Sequence, residues 1–221
     1  MKSRVLYGVM GIALVALFIG GGTYAYFSDT ETSTGNTFSA GTLNLSVGSD
    51  STLPFAFDNL KPGDTGVLAD PWRINNTGTI AGNLTITCGE IINNENGLTE
   101  PEESVDFTGG VLEGELGANL TVAFWIDSNA NNTLDTGDYY LRVDGDRIEF
   151  NNEENALPDD AFAPLNEYSE KSWANLATIA GGASAGTFHV EYDLPGPTTG
   201  NDVQSDTCTF DLIFKLEQAR T

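Results

Sequence analysis

An all-β sandwich of the jelly-roll type, with one short helix and long acidic loops, is the fold this sequence predicts. Three observations predict it. Apolar residues recur at every second position in five separate stretches, the period of a half-buried strand. Residues of the Gly, Pro, Asn and Asp class fill the intervals, where turns need them. One segment alone, residues 167–179, has helical spacing, with Trp173, Leu176 and Ile179 in phase. Roughly eight short antiparallel strands and one small helix suit a double-sheet architecture.

Taken in order, Leu43, Leu45 and Val47 face one way and Thr42, Asn44 and Ser46 the other. Residues 84–88 repeat that alternation, as do 120–126, 188–192 and 208–216. Shorter runs at 67–74, 139–143 and 147–150 add strands. Between them lie turns at Lys61-Pro62-Gly63-Asp64, Asn76-Thr77-Gly78, Asp144-Gly145-Asp146 and Pro195-Gly196-Pro197. The acidic stretches 90–106 and 144–160 read as long solvated loops, since charge runs usually serve to hold water, with weak calcium sites there as the alternative.

The N-terminus has a different character. Lys2 and Arg4 precede an apolar run over residues 5–19, which Gly20-Gly21-Gly22 ends, and Thr23 and Ala25 are small. This is the layout of a secretory signal peptide cut between Ala25 and Tyr26. An uncleaved anchor and a pilin leader are the alternatives, but no basic cluster follows the run and the glycines interrupt it. Cleavage would leave 196 residues with 7 basic and 32 acidic side chains, a formal charge of −25. That is enough chain for one core, expected over residues 39–221 and preceded by an extended segment at 26–38.

So negative a chain repels phosphate backbones, which argues against nucleic-acid binding. One histidine, His189, cannot supply a zinc site built on two or three imidazoles. No Gly-x-Ser-x-Gly elbow and no His-Glu-x-x-His is present, so no enzyme is expected and His189 is assigned a structural or surface place. The best local pattern is residues 127–138. Asp127, Asn129, Asn131, Asp135 and Asp138, with the Thr133 carbonyl, put oxygens at positions 1, 3, 5, 9, 12 and 7 of a calcium loop. Asn132 stands where Gly is usual and Asp138 where a longer Glu is usual. Because strands flank it, the expected calcium ion is structural, and a metal-free polar turn is the alternative.

Cys88 and Cys208 are the only cysteines, and in an exported chain such a pair is expected to form a disulfide. Asn44, Asn75, Asn83 and Asn119 open Asn-x-Ser/Thr sequons and are glycosylation candidates. Trp72, Trp125 and Trp173 read most simply as core.

Three blocks carry a family resemblance: residues 20–29 (Gly-Gly-Gly-Thr-Tyr-Ala-Tyr-Phe-Ser-Asp), 38–45 (Phe-Ser-Ala-Gly-Thr-Leu-Asn-Leu) and 60–64 (Leu-Lys-Pro-Gly-Asp). In order and spacing they resemble the TasA/camelysin family of exported biofilm-matrix fibre proteins. The later segments look most like its archaeal members, which form bundling pili. The resemblance implies a secreted jelly-roll subunit of a cell-surface filament or biofilm matrix, polymerising head-to-tail with itself. The donor strand would be residues 26–38, including Tyr26, Phe27, Ser28, Asp29, Thr30 and Phe38, handed to the neighbouring subunit. Other filaments or the cell surface are further partners, and no membrane contact is expected once the signal is removed. The metalloprotease activity attributed to the camelysin branch does not carry over, for want of histidines. The alternative is a monomeric, secreted, calcium-stabilised β-sandwich that binds carbohydrate or a cell surface, with the tryptophans as sugar platforms.

Overall fold

The computed structural model describes residues 28–30, 41–48, 56–57, 59–98, 102–110, 112–151, 156–196 and 198–219. The expected signal peptide, the Ala25–Tyr26 junction, and Phe27 and Phe38 of the expected donor segment lie outside these residues. In chain order the strands are β1 (Ser28–Thr30), β2 (Leu45–Val47), β3 (Thr65–Val67), β4 (Trp72–Asn76), β5 (Gly82–Cys88), β6 (Ile92–Asn94) and β7 (Thr121–Asp127). They continue with β8 (Tyr139–Leu141), β9 (Arg147–Glu149), β10 (Ala163–Pro164), β11 (Ser172–Trp173) and β12 (Thr178–Ile179). The last three are β13 (Ser184–Asp193), β14 (Thr207–Thr209) and β15 (Leu212–Gln218).

They assemble as an all-β sandwich of antiparallel sheets. One sheet runs β1-β15-β5-β11, with β12 also on β5. The other runs β2-β4-β13-β7-β8-β9, with β3 on β13 and β10 on β7. A two-stranded ribbon, β6 with β14, lies apart from both. The alternation legible in the sequence is the alternation of burial. Leu84, Ile86 and Cys88 of β5 face Ile74, Phe124, Ile126, Phe188 and Val190 of the larger sheet, all fully buried or within 1% of it. Rings knit the layers: Phe188 stacks on Phe124 at 5.6 Å and meets Phe214 of the opposite sheet edge-on at 5.3 Å. Burying each such ring contributes about 1.5–3 kcal/mol, and their edge-to-face geometry adds to that.

β7 is buried on both faces. Val122, Phe124 and Ile126 enter the main core, while Ala123 and Trp125 join Leu134, Tyr140, Phe150 and Ala161 in a second cluster. That corrects the reading of residues 144–160 as a solvated loop: the stretch contains β9, and Phe150 is 2% exposed. Residues 90–106 are likewise not mere solvated loop, since Glu95, Glu102 and Asp106 are all buried.

The helix is also elsewhere than expected. Residues 167–179 form the end of a 3₁₀ turn (Leu165–Tyr168) and the strands β11 and β12. Their polar backbone groups serve β5 instead of an i→i−4 ladder: Leu176 N donates to Leu84 O, and Cys88 N to Lys171 O. Glu170 and Asn175 take left-handed φ values of 59° and 54°, which no α-helix allows. Trp173 and Ile179 are buried as helical spacing would have it, but by an edge of sheet. The α-helix among the described residues is one turn, α1 (Leu116–Asn119).

Candidate functional site

Two places position groups that can act: an edge of the smaller sheet, and the β7–β8 loop. β15 is held on one side by β5 through seven residue pairs, from Leu212↔Cys88 to Gln218↔Gly82. Its other side receives β1, with Ser28 opposite Glu217, Asp29 opposite Leu216 and Thr30 opposite Lys215. Among the described residues, β1 thus covers three of the seven positions of β15. Phe214 and Leu216 point into the core, and Ile213 on the other face is 45% exposed. A strand edge with unspent backbone donors and acceptors is a receptor for an extended segment. This one receives the start of the very segment singled out as a donor, here from its own chain.

At the far end of β7, strand register brings the second constellation together. β13 pairs with β7 so that Thr187 lies opposite Asp127 and His189 opposite Trp125. Just before that pairing, a bulge between Ser184 and Gly186 shifts the register of β13 against β4. Gly186 has φ +109°, and a Cβ on it would lie 2.0 Å from Asp127 O, so no other residue fits without moving backbone.

The loop from Asp127 to Asp138 is a ring of Asx turns. Asn129, Asn131 and Thr133 each donate their N–H to the side-chain oxygen two residues back, on Asp127, Asn129 and Asn131 (3.2, 3.0 and 2.7 Å). Asp127 and Asp138, both buried, accept further N–H groups, from Asn132 onto Asp127, and from Ser128 and Asp135 onto Asp138. Burial pushes the Asp138 carboxyl above its ordinary value against those hydrogen bonds. Asn132 sits at φ 58°, the left-handed state expected where calcium loops carry Gly. The carboxamides of Asn129 and Asn131 both donate to Asp135, which makes its carboxylate the loop's point of convergence. Thr133 contributes its backbone, and its side chain is exposed.

His189 is buried. Its ring stacks on Trp125 at 4.0 Å, and Nε2 lies 3.1 Å from Thr187 Oγ1 and 3.9 Å from Asp127 Oδ2. Burial holds it below the usual imidazole value, against the pull of Asp127. Trp72, Trp125 and Trp173 are at most 4% exposed, which removes them as sugar platforms. Trp125 and Trp173 spend their N–H groups on Glu191 and on the Arg142 carbonyl.

The expected disulfide is not formed: Cys88 and Cys208 are free thiols. Cys88 faces the core from β5 opposite Leu212, while Cys208 belongs to the ribbon, paired with Asn93, whose Oδ1 it contacts. Of the sequon asparagines, Asn44 is exposed, whereas Asn75, Asn83 and Asn119 are half-buried. Asn83 accepts from Thr178 Oγ1 and Asn119 donates to Glu115 O, so both amides are already engaged. Among the described residues no helix is long and apolar enough to cross a membrane. The residues that sequence reasoning missed are the positioning ones: Gly186 and Thr187, which only cross-strand register brings to the loop, and Glu191, which it brings to Trp125.

The fold is thus an acidic, antiparallel β-sandwich whose last strand carries residues 28–30 on its edge. Known proteins share part of this sequence. The model of the camelysin metallo-endopeptidase family matches residues 1–97. The major biofilm matrix component of Bacillus subtilis (strain 168) is 34% identical over 106 residues, 47% of this chain and 39% of that protein. The chain therefore spans well under half the length of that relative. Both matches support the resemblance to the TasA/camelysin family. The region matched by the peptidase model contains no histidine, since His189 lies beyond it.

Proposed function

We propose that this chain is a non-catalytic structural subunit of an extracellular filament, a pilus or biofilm-matrix fibre, secreted after cleavage at Ala25–Tyr26. It polymerises head-to-tail by donating residues 26–38 to the next subunit. The observation that carries the reading is the β1–β15 pairing. The edge of β15 accepts this segment in antiparallel register, and the same edge on a second copy presents the same backbone groups. Exchange replaces one set of hydrogen bonds by an equal set, so it needs no new surface. A contact of this kind that does not close on itself grows into a fibre. The similarity to a biofilm matrix component supports the same assembly.

A calcium ion in the β7–β8 loop is part of the proposal. Asp135 and the side-chain oxygens of Asp127, Asn129, Asn131 and Asp138, with the Thr133 carbonyl, form an all-oxygen set suited to a hard cation. There it would rigidify the hairpin between the two cores.

The test is a register-specific cross-link. Ser28→Cys with Glu217→Cys, on a Cys208→Ser background, places two thiols at paired positions. In filaments seen by negative-stain microscopy, oxidation should yield a ladder of covalent multimers in denaturing gels. Filaments containing only intramolecular bonds would show that the segment stays with its own subunit and would refute donor exchange. Absence of filaments from secreted protein beginning at Tyr26 would refute the assembly as a whole.

A further inference from the structure

The residues the sequence offered as a solvated acidic loop converge on a buried centre. One carboxylate oxygen from each of Glu95, Glu102 and Asp206 lies within 4.8 Å of the other two, and the same holds for Glu95, Asp106 and Glu115. The five acids come from four places in the chain: the end of the β6 strand, the 3₁₀ turn at Glu102–Ser104 and its exit, the approach to α1, and the approach to β14. Glu95 and Asp106 are 7% exposed and Glu102 is fully buried.

Their hydrogen bonds divide each carboxylate in two. Glu95 Oε1 accepts from Gly97 N, and Asp106 Oδ1 from Thr108 N and Oγ1. Glu115 Oε1 accepts from Thr108 Oγ1, and Asp206 Oδ2 from Glu115 N and Leu116 N at 2.6 and 3.0 Å. Asp106 Oδ2 and Glu115 Oε2 are buried and have no hydrogen-bond partner, while Glu95 Oε2 and Asp206 Oδ1 are buried with no N–H or hydroxyl donor, their two carboxyls reaching only one another. So the chain orients one oxygen of Glu95, Asp106, Glu115 and Asp206 and gives the other no donor inside a crowd of like charges. A fold that only had to solvate these groups would turn them outward, because a buried unpaired carboxylate is among the costliest things a protein can hold. Among the described residues, the ion pairs of Lys61, Arg142, Arg147 and Lys215 are with Asp64, Asp144, Glu149 and Glu217.

We infer that Glu95, Glu102, Asp106, Glu115 and Asp206 form a second calcium site, separate from the β7–β8 loop. The donors are all carboxylate oxygen, which selects a hard cation over zinc or copper. Five acids on irregular backbone suit the six-to-eight-oxygen, adaptable shell of calcium better than the octahedron of magnesium. One oxygen bound to metal and its partner held by an N–H or hydroxyl is the arrangement that orients metal ligands. In the chain, the hairpin loop follows β7, whereas Glu115 precedes α1 on the other side of that strand. Bound by these acids, calcium joins the β6–β14 ribbon, the 3₁₀ turn at Glu102–Ser104 and α1. A shared proton is the competing occupant of the Glu95–Asp206 pair, since burial raises both carboxyls.

The experiment uses the full secreted chain, freed of metal with chelator and titrated with calcium chloride by calorimetry. Asp135→Asn disables the hairpin loop and leaves these five acids untouched; that protein should still bind calcium, and calcium should raise its Tm. Adding Glu95→Gln should weaken the remaining binding by more than about tenfold, and magnesium at the same concentration should not displace calcium. If Asp135→Asn binds no calcium and its Tm ignores the ion, the inference is overturned. It is also overturned if Glu95→Gln and Asp206→Asn bind as tightly as the parent. The Asp135→Asn arm decides the matter even where a Glu95 variant fails to fold, and it is independent of whether filaments form.

Discussion

Gly186 offers a sharp test of how the sheet positions the β7–β8 loop. It sits at the bulge of β13 with φ +109°, and a methyl group there would stand 2.0 Å from the Asp127 carbonyl oxygen and 2.9 Å from Ser128 Cα. Gly182, four residues earlier, also has positive φ (+76°), but nothing lies within 4 Å of its added Cβ. Both substitutions to Ala pay the conformational cost of an L-residue at positive φ, about 1–2 kcal/mol. Only Gly186→Ala must also push one backbone away from another, and unrelieved overpacking adds about 1–3 kcal/mol. For a domain of this size, 1 kcal/mol shifts Tm by about 2–4 °C. Taking about 2 kcal/mol as the excess, Gly186→Ala should melt about 4–8 °C below Gly182→Ala in scanning calorimetry. Calcium should restore less of the loss, because the displaced group carries the first ligand of the loop. Equal melting temperatures for the two variants would refute the reasoning, showing that the strands separate at no cost.

Further expectations follow from single groups. Glu191 is raised above its ordinary value chiefly by burial, with the Trp125 N–H opposing. A raised acid lends its stability below the unfolded-state value near 4.5 and loses it as pH climbs through the folded value. Glu191→Gln should therefore stabilise the protein at pH 7 and show no advantage at pH 4 in urea titrations; a constant difference would contradict this. Both thiols are pushed up to about 12, mainly by burial. Thiol reagents at pH 8 should therefore modify Cys208 slowly and Cys88 only on unfolding, and intact-mass measurement without reductant should find two free thiols. Phe188→Ala empties the ring cluster at the centre of the sandwich and should cost about 3–5 kcal/mol in denaturant midpoint measurements. Because subunits of formal charge −25 repel, salt or calcium should accelerate fibre growth; fastest growth at low ionic strength without divalent ions would refute that.

The strands were legible because their signal is local. Leu84, Ile86 and Cys88 alternate with polar neighbours in the sequence, and that alternation fixes which face of β5 meets the core. The Asx chemistry of residues 127–138 was legible for the same reason, each side chain acting on an amide two residues away. Where an interaction spans the chain, the sequence misled. Trp173, Leu176 and Ile179 satisfy helical spacing, yet the free backbone of β5 offered a better use for their segment. Glu95 and Asp206 stand over a hundred positions apart, so no spacing rule announces their meeting, and in one dimension their neighbours look only like a charge run. The cysteine pair fails as a disulfide because an even count says nothing of which sheet each thiol joins.

By itself, then, the sequence determined the fold class, the sign and size of the charge, the want of a histidine-based metal centre, and the hairpin loop, all properties of residues and their near neighbours. Tertiary structure alone decided that β15 presents an edge to residues 28–30 and that acids from four segments gather in two triads sharing Glu95. Both depend on strand register and on how loops cross the ends of the sandwich. These are set by the sum of many packing contacts, and no short stretch of chain encodes them.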